Sequence, residues 1–176
     1  FSPRRKGTYF LLLNGQPFAE HPIAPGAASL PEIPAGSWGT WKGAIYYRVK
    51  PGPLQTPRDL NFSCAADGVG LTLLDVHDVV IRNLKVRHYR LDGVNAHDRC
   101  TNVILENVTL EQNGRAGLAA GGSSLVGLRD CTVTGNRVTQ ILVAERAQVE
   151  LLKTTLGDKP GTPFRITGGH LLIDQQ

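Results

Sequence analysis

The sequence predicts an all-β fold: a right-handed, single-stranded parallel β-helix of about four to five coils, preceded by a β-rich N-terminal cap. Three observations support this class. The 176 residues include 20 glycines and 11 prolines, which favours a turn-rich chain. Apolar residues alternate with polar ones at the strand period of two, and helical spacing is absent. The same pattern then returns along the chain, as in repeat proteins.

The repeat begins at Gly70. Its lines start at Gly70, Gly93, Gly117 and Ile141, which makes the first three lines 23, 24 and 24 residues long. Each line holds three short apolar segments with a spacing of two. In the second line these are Val94 with Ala96, Val103 with Leu105, and Val108 with Leu110. We therefore expect three strands in each coil, with a partial fifth coil at the end of the chain.

One polar position interrupts the alternation between the second and third segments of each line. Asn83, Asn107, Asp130 and Lys153 occupy it. A tight polar corner between these strands is typical of a right-handed parallel β-helix, where equivalent residues stack about 4.8 Å apart. We predict a side-chain ladder at Asn83 and Asn107 that Asp130 extends.

Several outward charges have a structural interpretation in the same register. We expect Arg82, Glu106 and Arg129 to form one column, and Arg87 to pair with Glu111. Thr109, Thr132 and Thr155 are expected to stack beside that pair. Such cross-strand neighbours stabilise sheets, so these residues are not candidates for a functional site.

The first sixty-odd residues do not join the repeat. We predict a β-rich cap over residues 1–64 and the β-helix over residues 65–176. Asn14-Gly15 between apolar runs predicts a hairpin, and residues 44–49 predict a strand. The last line supplies only two strands, and the chain begins at Phe1 instead of methionine. We therefore expect a fragment, truncated at the C-terminus, of a longer β-helix protein.

Composition and charge exclude several classes. Hydrophobic residues make up 41% and charged residues 19%, which excludes a disordered chain and a coiled coil. No apolar run is long enough to span a membrane, and a net charge of +4 without a long basic run does not support nucleic-acid binding. No Cys/His spacing predicts a metal site, so we expect no cofactor; calcium at Asp75 and Asp98 is the alternative.

Over about residues 65–176 the repeat resembles the pectate-lyase-like superfamily. This resemblance implies that the first sheet lines a substrate groove. The stretch Asp92-Gly93-Val94-Asn95-Ala96-His97-Asp98, with the coil after it, also resembles the catalytic coil of mannuronan epimerases. It matches at His97, Asp98, the Asn102 corner and the Asn113-Gly114 loop. Where that family carries a catalytic Tyr and a catalytic Asp, this chain has Asp92 and Asn95.

The register assigns each residue of the first sheet to one face. Expected to point inward are Leu71, Leu73, Val94, Ala96, Leu118 and Ala120. Expected to point outward are Thr72, Leu74, Asn95, His97, Ala119, Gly121, Val143 and Glu145. The loops before these strands, including Asn113 and Asn136, are expected to border the groove. Polar residues concentrate between Asp92 and Arg99, and small residues at 119–122 leave a shallow floor beside them.

The candidate catalytic residues are His97, Asp98, Asn95 and Arg99. Histidine titrates near neutral pH, so His97 is the candidate base or proton donor. The candidate substrate-binding residues are Asp92, Arg90, Tyr89, Arg115 and Glu145. An arginine among these groups would neutralise a uronate carboxylate through paired hydrogen bonds, and Tyr89 would stack on a sugar ring. Asp92-Gly93 also fits a turn that starts the coil.

Two function classes remain open. The first is an extracellular or periplasmic enzyme that acts on a polysaccharide, for example a polyuronate, by lyase or epimerase chemistry or by hydrolysis. Hydrolysis needs two carboxyl groups about 5 Å or about 6.5–9.5 Å apart. Asp75 and Asp98 occupy similar positions on adjacent coils, although aspartate after a strand more often caps a turn. The second class is a non-catalytic β-helix module with a carbohydrate-binding, structural or adhesin role.

Overall fold

The computed structural model describes residues 11–18, 20–52 and 60–174. Within these ranges the chain forms β-strands joined by turns, with no helix. It divides into two compact units, Phe1–Ala65 and Ala66–Gln176. The first unit contains the predicted β-rich segment, and the second contains the repeat.

The N-terminal unit is built from two small antiparallel sheets. In the first, β1 (Leu11–Leu13) pairs with β2 (Gln16–Pro17) and β5 (Phe62–Cys64). Asn14 and Gly15, both with positive φ, form the predicted hairpin turn. In the second, β3 (Trp38–Trp41) pairs with β4 (Ala44–Tyr47), so the strand predicted at residues 44–49 ends at Tyr47. Trp38 is buried and anchors this unit.

The C-terminal unit is a parallel β-solenoid of about five coils. Its strands are β6 (Val69–Leu74), β7 (His77–Arg82), β8 (Lys85–Arg87), β9 (Asp92–His97), β10 (Thr101–Glu106), β11 (Thr109–Glu111), β12 (Ala116–Ala120), β13 (Leu125–Arg129), β14 (Thr132–Thr134), β15 (Thr139–Leu152), β16 (Thr155–Leu156) and β17 (Thr162–Asp174). Equivalent strands of successive coils pair in parallel, which confirms the predicted fold class.

Three sheet faces run along the solenoid. The first contains β6, β9, β12 and the N-terminal halves of β15 and β17. The second contains β7, β10, β13 and the C-terminal halves of β15 and β17. The third contains β8, β11, β14 and β16. Because β15 and β17 continue past the corner, they join the first and second faces into one sheet.

The register differs from the prediction at one coil. Leu71, Val94, Leu118, Ile141 and Phe164 lie side by side, so successive coils are 23, 24, 23 and 23 residues long. The third coil is therefore one residue shorter than predicted. Since a slip of one residue moves a side chain to the other face, the outward position predicted for Val143 is wrong. Val143 is buried in the core, and Leu142 takes the outward position.

The interior of the solenoid is an apolar column of stacked side chains. Leu105, Val108, Leu110 and Val133 are buried, as the alternation predicts. The inward positions predicted for the first sheet are also confirmed, since all six residues belong to this core or pack against it. Cys131 is buried among them, and this burial raises the pKa of its thiol. Each coil thus buries its apolar side chains only against its neighbours.

The corner between the second and third sheets forms the Asn83–Asn107 part of the predicted ladder. Asn83, Asn107, Asp130 and Lys153 all have φ between +47° and +59°. The Nδ2 of Asn107 donates a hydrogen bond to the Oδ1 of Asn83 at 2.8 Å. Asparagine and aspartate tolerate this left-handed conformation better than most residues, which explains the polar corner.

A second amide ladder lies inside the solenoid. Asn113, Asn136 and Gln140 are completely buried. Asn113 donates to Asn136 at 2.9 Å, and Asn136 donates to Gln140 at 2.8 Å. The expectation that the loops at Asn113 and Asn136 border a groove through these side chains is wrong. Both amides instead satisfy backbone groups of the turns before the first sheet.

The outward charged pairs and threonine stacks match the predicted register. Arg82 lies 3.2 Å from Glu106, and Arg87 lies 3.5 Å from Glu111. Thr109, Thr132 and Thr155 lie side by side on the third sheet. Exposed ion pairs of this kind contribute at most about 1 kcal/mol each. These residues therefore support the sheet faces.

Candidate functional site

The corner between the first and second sheets repeats one backbone conformation on four successive coils. Asp75, Asp98, Gly122 and Glu145 occupy equivalent positions in the register of successive first-sheet strands, where the chain turns toward the second sheet. All four have positive φ, at 51°, 65°, 64° and 58°. We call these four residues the corner column. It places three carboxylates on one edge of the solenoid, with a glycine between the second and the third.

Gly122 is required by its surroundings. A Cβ at this position would lie 2.5 to 2.8 Å from three backbone atoms of Asp98. Real Cβ atoms do not approach backbone atoms this closely. The backbone at Gly122 can therefore pack against the backbone at Asp98 only because glycine has no side chain. The corner column therefore carries no side chain between Asp98 and Glu145, and the backbone of Asp98 occupies the place that a side chain on Gly122 would take.

We expect Gly122→Ala to lower the free energy of unfolding by about 1–3 kcal/mol, because alanine must adopt positive φ and also clashes with Asp98. Chemical denaturation would measure this. The matched control is Gly127→Ala in β13, where a Cβ would meet only the Val103 carbonyl oxygen at 4.0 Å. Gly127→Ala should leave the free energy of unfolding unchanged or raise it slightly. Equal effects of the two substitutions would contradict this account of the corner.

An open depression of about 800 Å³ lies along the corner column. Its lining residues are Leu74, Asp75, Asp98, Arg99, Gly122, Ser123, Glu145 and Arg146. Three carboxylates and two guanidinium groups thus surround a floor without a side chain at Gly122. We call this the corner depression.

Arg99 is engaged by Asp75. Its Nε and Nη2 donate to the two carboxylate oxygens of Asp75 at 3.0 and 2.9 Å. These hydrogen bonds and the opposite charges lower the pKa of Asp75 and raise that of Arg99. The two charges neutralise each other, so Arg99 is less available to a substrate carboxylate than the sequence suggests.

His97 lies at the edge of the depression. Its half-exposed ring accepts a hydrogen bond at Nδ1 from the backbone N–H of Asp98 at 2.8 Å. In the neutral imidazole this bond leaves the proton on Nε2, which is then a donor. A Cβ at Gly121 would lie 3.5 Å from this Nδ1 and 3.9 Å from the Oε2 of Glu145. His97 and Glu145 therefore flank the same glycine.

The Glu145 side chain reaches back to the preceding coil. Its carboxylate accepts a hydrogen bond from the backbone N–H of Gly122 on the preceding coil. The side chain thus leans toward Asp98. The backbone of β15 is irregular just after Glu145, where its register with β17 shifts.

Asp92, Asn95 and Arg115 form a separate cluster on the same sheet. Asp92 is completely buried and begins β9, so the turn predicted at Asp92-Gly93 is wrong. Arg115 donates to both carboxylate oxygens, with Nε 2.8 Å from Oδ1, and Asn95 donates to Oδ2 at 3.1 Å. The hydrogen bonds that Arg115 donates to Asp92 raise the pKa of the Arg115 guanidinium. This network holds the start of the strand.

Tyr89 and Arg90 lie in the turn before β9. The half-buried ring of Tyr89 packs against the core, and its backbone N–H donates to the Oδ1 of Asn113 at 3.1 Å. The backbone N–H of Arg90 donates to the carbonyl of Asp67 at 3.0 Å. Neither residue lines the corner depression. Of the nine predicted site residues, Asp98, Arg99 and Glu145 line it and His97 borders it.

A family model described as "right handed beta helix region" matches residues 57–166, more than half of the chain. The chain belongs to the right-handed β-helix family. Comparison with curated proteins finds no significant match, and comparison with solved structures finds none either. The β-helix assignment agrees with the parallel coils and leaves the chemistry to be argued from the site.

Two residues that line the depression of this β-helix, Ser123 and Arg146, were not predicted as site residues from the sequence. A signal for Arg146 was present: Asp98-Arg99 and Glu145-Arg146 repeat an acid–arginine pair two coils apart. Arg146 forms no ion pair with the other residues that the structure describes. It is therefore the cation of the depression that remains for a ligand.

Within residues 11–18, 20–52 and 60–174, no group of three or more His, Cys, Asp or Glu side chains is arranged to hold a metal ion. The same residues contain no helix long and apolar enough to cross a membrane. Apart from the paired Asp75 and Arg99, the corner depression has two carboxylates and one guanidinium in its lining, with the His97 imidazole at its edge.

Proposed function

We propose that the β-helix acts on a polysaccharide in the corner depression, and that the reaction is hydrolysis of a glycosidic bond. The supporting observation is that Asp98 and Glu145 stand on one corner, on either side of Gly122. Neither carboxylate forms an ion pair with an arginine within the described residues. The depression is open, which suits the interior of a long chain better than a small molecule.

The backbone spacing of the two acidic residues is compatible with inversion. Equivalent corner positions are one inter-strand spacing apart, so the backbones of Asp98 and Glu145, two coils apart, are separated by about 10 Å. The Glu145 carboxylate accepts a hydrogen bond from the backbone N–H of Gly122, on the coil that lies between those of Asp98 and Glu145. Inverting glycosidases separate the acid from the base by about 6.5–9.5 Å, with a water in between. The open depression of about 800 Å³ beside these residues would admit that water.

The charge of the lining favours an uncharged polysaccharide. Asp75 and Arg99 neutralise each other. The remaining charged groups of the lining are two carboxylates, Asp98 and Glu145, and one guanidinium, Arg146, so the lining has a net negative charge. A polyuronate brings one carboxylate on every sugar and would be repelled by this excess. His97, with a donor at Nε2, would bind a sugar hydroxyl or assist proton transfer to the leaving oxygen.

Elimination or epimerisation of a uronate is the second candidate. The observation that favours it is Arg146, whose guanidinium lacks an ion pair within the described residues and would neutralise a uronate carboxylate. His97 would then be the base. This chemistry uses one carboxylate fewer than the site offers, which is why we place hydrolysis first.

The test is incubation with neutral polysaccharides (mannan, xylan, galactan) and polyuronates (alginate, pectate). Release of new reducing ends from a neutral chain is the expected result. Unsaturated ends or inverted C5 centres in a polyuronate would overturn hydrolysis in favour of the second candidate. Binding without any product would indicate a non-catalytic module, and neither binding nor product would refute a carbohydrate function.

The variants Asp98→Asn and Glu145→Gln should each lower the hydrolysis rate by about 10²–10⁴-fold, since each removes one acid–base group. Asp130→Asn is the matched control, because Asp130 also occupies a positive-φ corner but lies between the second and third sheets. It should keep full activity. Equal rates for Asp98→Asn and Asp130→Asn would remove Asp98 from the mechanism.

A further inference from the structure

A second depression lies on the outward face of the second sheet. It measures about 340 Å³, and its outward lining includes Ile104, Leu125, Gly127, Gln148, Glu150 and Leu172. Ile104, Gly127 and Glu150 stand side by side on β10, β13 and β15. Gly127 is the floor, because its neighbours in this row carry side chains. We call this depression the Gly127 notch.

The backbone does not require glycine at this position. A Cβ on Gly127 would have 4.0 Å to its nearest neighbour, the Val103 carbonyl oxygen. Gly127 also has no positive φ. Glycine inside a strand weakens a sheet by about 0.5–1 kcal/mol relative to alanine. Such a glycine often marks the close approach of a ligand.

The lining of the notch combines apolar and hydrogen-bonding groups. Leu125 and Leu172 are 42% and 59% exposed, which is unusual for leucine on a sheet face. Gln148 and Glu150 are exposed beside them. A neutral sugar presents the same combination, with C–H groups on its ring face and hydroxyls at its edge.

The notch lies next to the corner depression. Ser123 and Arg146 line the depression, and Leu125 and Gln148, two residues further along the same coils, line the notch. That step is about 7 Å along the strand. The residues between them, Ser124 and Ala147, are completely buried, so on these two coils no outward side chain lies between the two surfaces.

We infer that the Gly127 notch is a distal subsite for the polysaccharide, which continues from the corner depression around the edge of the solenoid onto the second sheet. This inference rests on the proposed function. The occupant is the part of the same chain that lies beyond the sugars in the depression. The subsite adds affinity for long chains without touching the reacting bond.

The test compares disaccharides with octasaccharides of mannan, xylan and galactan by titration calorimetry. Gly127→Lys fills the notch and should weaken octasaccharide binding about tenfold while leaving disaccharide binding unchanged. Val80→Lys is the matched control, since Val80 is exposed in the same row but lies outside the notch. It should bind both ligands as the wild type does. Leu125→Ser, a milder change at the rim, should reproduce the loss for octasaccharides alone.

Two outcomes would overturn the inference, and they are distinguishable. If the wild type binds the octasaccharides of a polysaccharide but Gly127→Lys and Leu125→Ser bind them equally well, the notch is not a subsite and the proposed function stands. If the wild type binds no saccharide of either length, the proposed function fails and the notch loses its ligand. Unchanged thermal unfolding of Leu125→Ser would show that its loss of affinity is not a loss of fold.

Discussion

Replacing Arg115 with alanine should lower the free energy of unfolding by about 3–5 kcal/mol, because it leaves an uncompensated charge in the protein interior. Asp92 is 0% exposed, and Arg115 donates to both of its carboxylate oxygens. After the substitution the single amide of Asn95 would remain as a side-chain partner. Urea denaturation of the variant and the wild type measures the difference.

Two controls separate this effect from the loss of an ordinary ion pair. Arg82→Ala removes an arginine from an exposed pair with Glu106, and should change stability by no more than about 1 kcal/mol. Adding Asp92→Asn to Arg115→Ala removes the buried charge and should recover part of the loss. A loss for Arg115→Ala no larger than that for Arg82→Ala would refute the structural role of the cluster.

The second large effect is expected at Leu105. Its side chain is completely buried on the second sheet, in register with Ile81 and Leu128 of the adjacent coils. Leu105→Ala should lower the free energy of unfolding by about 2–5 kcal/mol, because the stacked coils on either side cannot close the cavity. The midpoint of chemical denaturation should shift accordingly.

Leu125→Ala is the matched control for Leu105→Ala. Leu125 lies on the same sheet but points outward and is 42% exposed. Its truncation should change stability by less than about 0.5 kcal/mol. If the two variants unfolded at the same denaturant concentration, the assignment of inward and outward faces would be wrong.

The corner depression was only partly predictable from the sequence. Repeating acid positions indicate which residues follow the first-sheet strands, so Asp98 and Glu145 could be proposed. The carboxylate partner of each nearby arginine could not be predicted from the sequence. Arg99 turns to Asp75 on the preceding coil, whereas Arg115 turns inward to Asp92. Both choices depend on side-chain rotamers and on distances between coils, which no single position of the repeat encodes.

The amino-acid pattern alone predicts the coils, their parallel pairing, the buried leucines and valines, and the Asn83–Asn107 ladder. These follow because a strand alternates its faces with a period of two, and because a coil can bury its apolar side chains only against equivalent ones. The tertiary structure decided the rest. The third coil is one residue shorter than the glycine-to-isoleucine spacing suggested, which turned Val143 inward. Asn113 and Asn136 were drawn inward to satisfy backbone groups of the turns, because a buried polar group without a partner is costly.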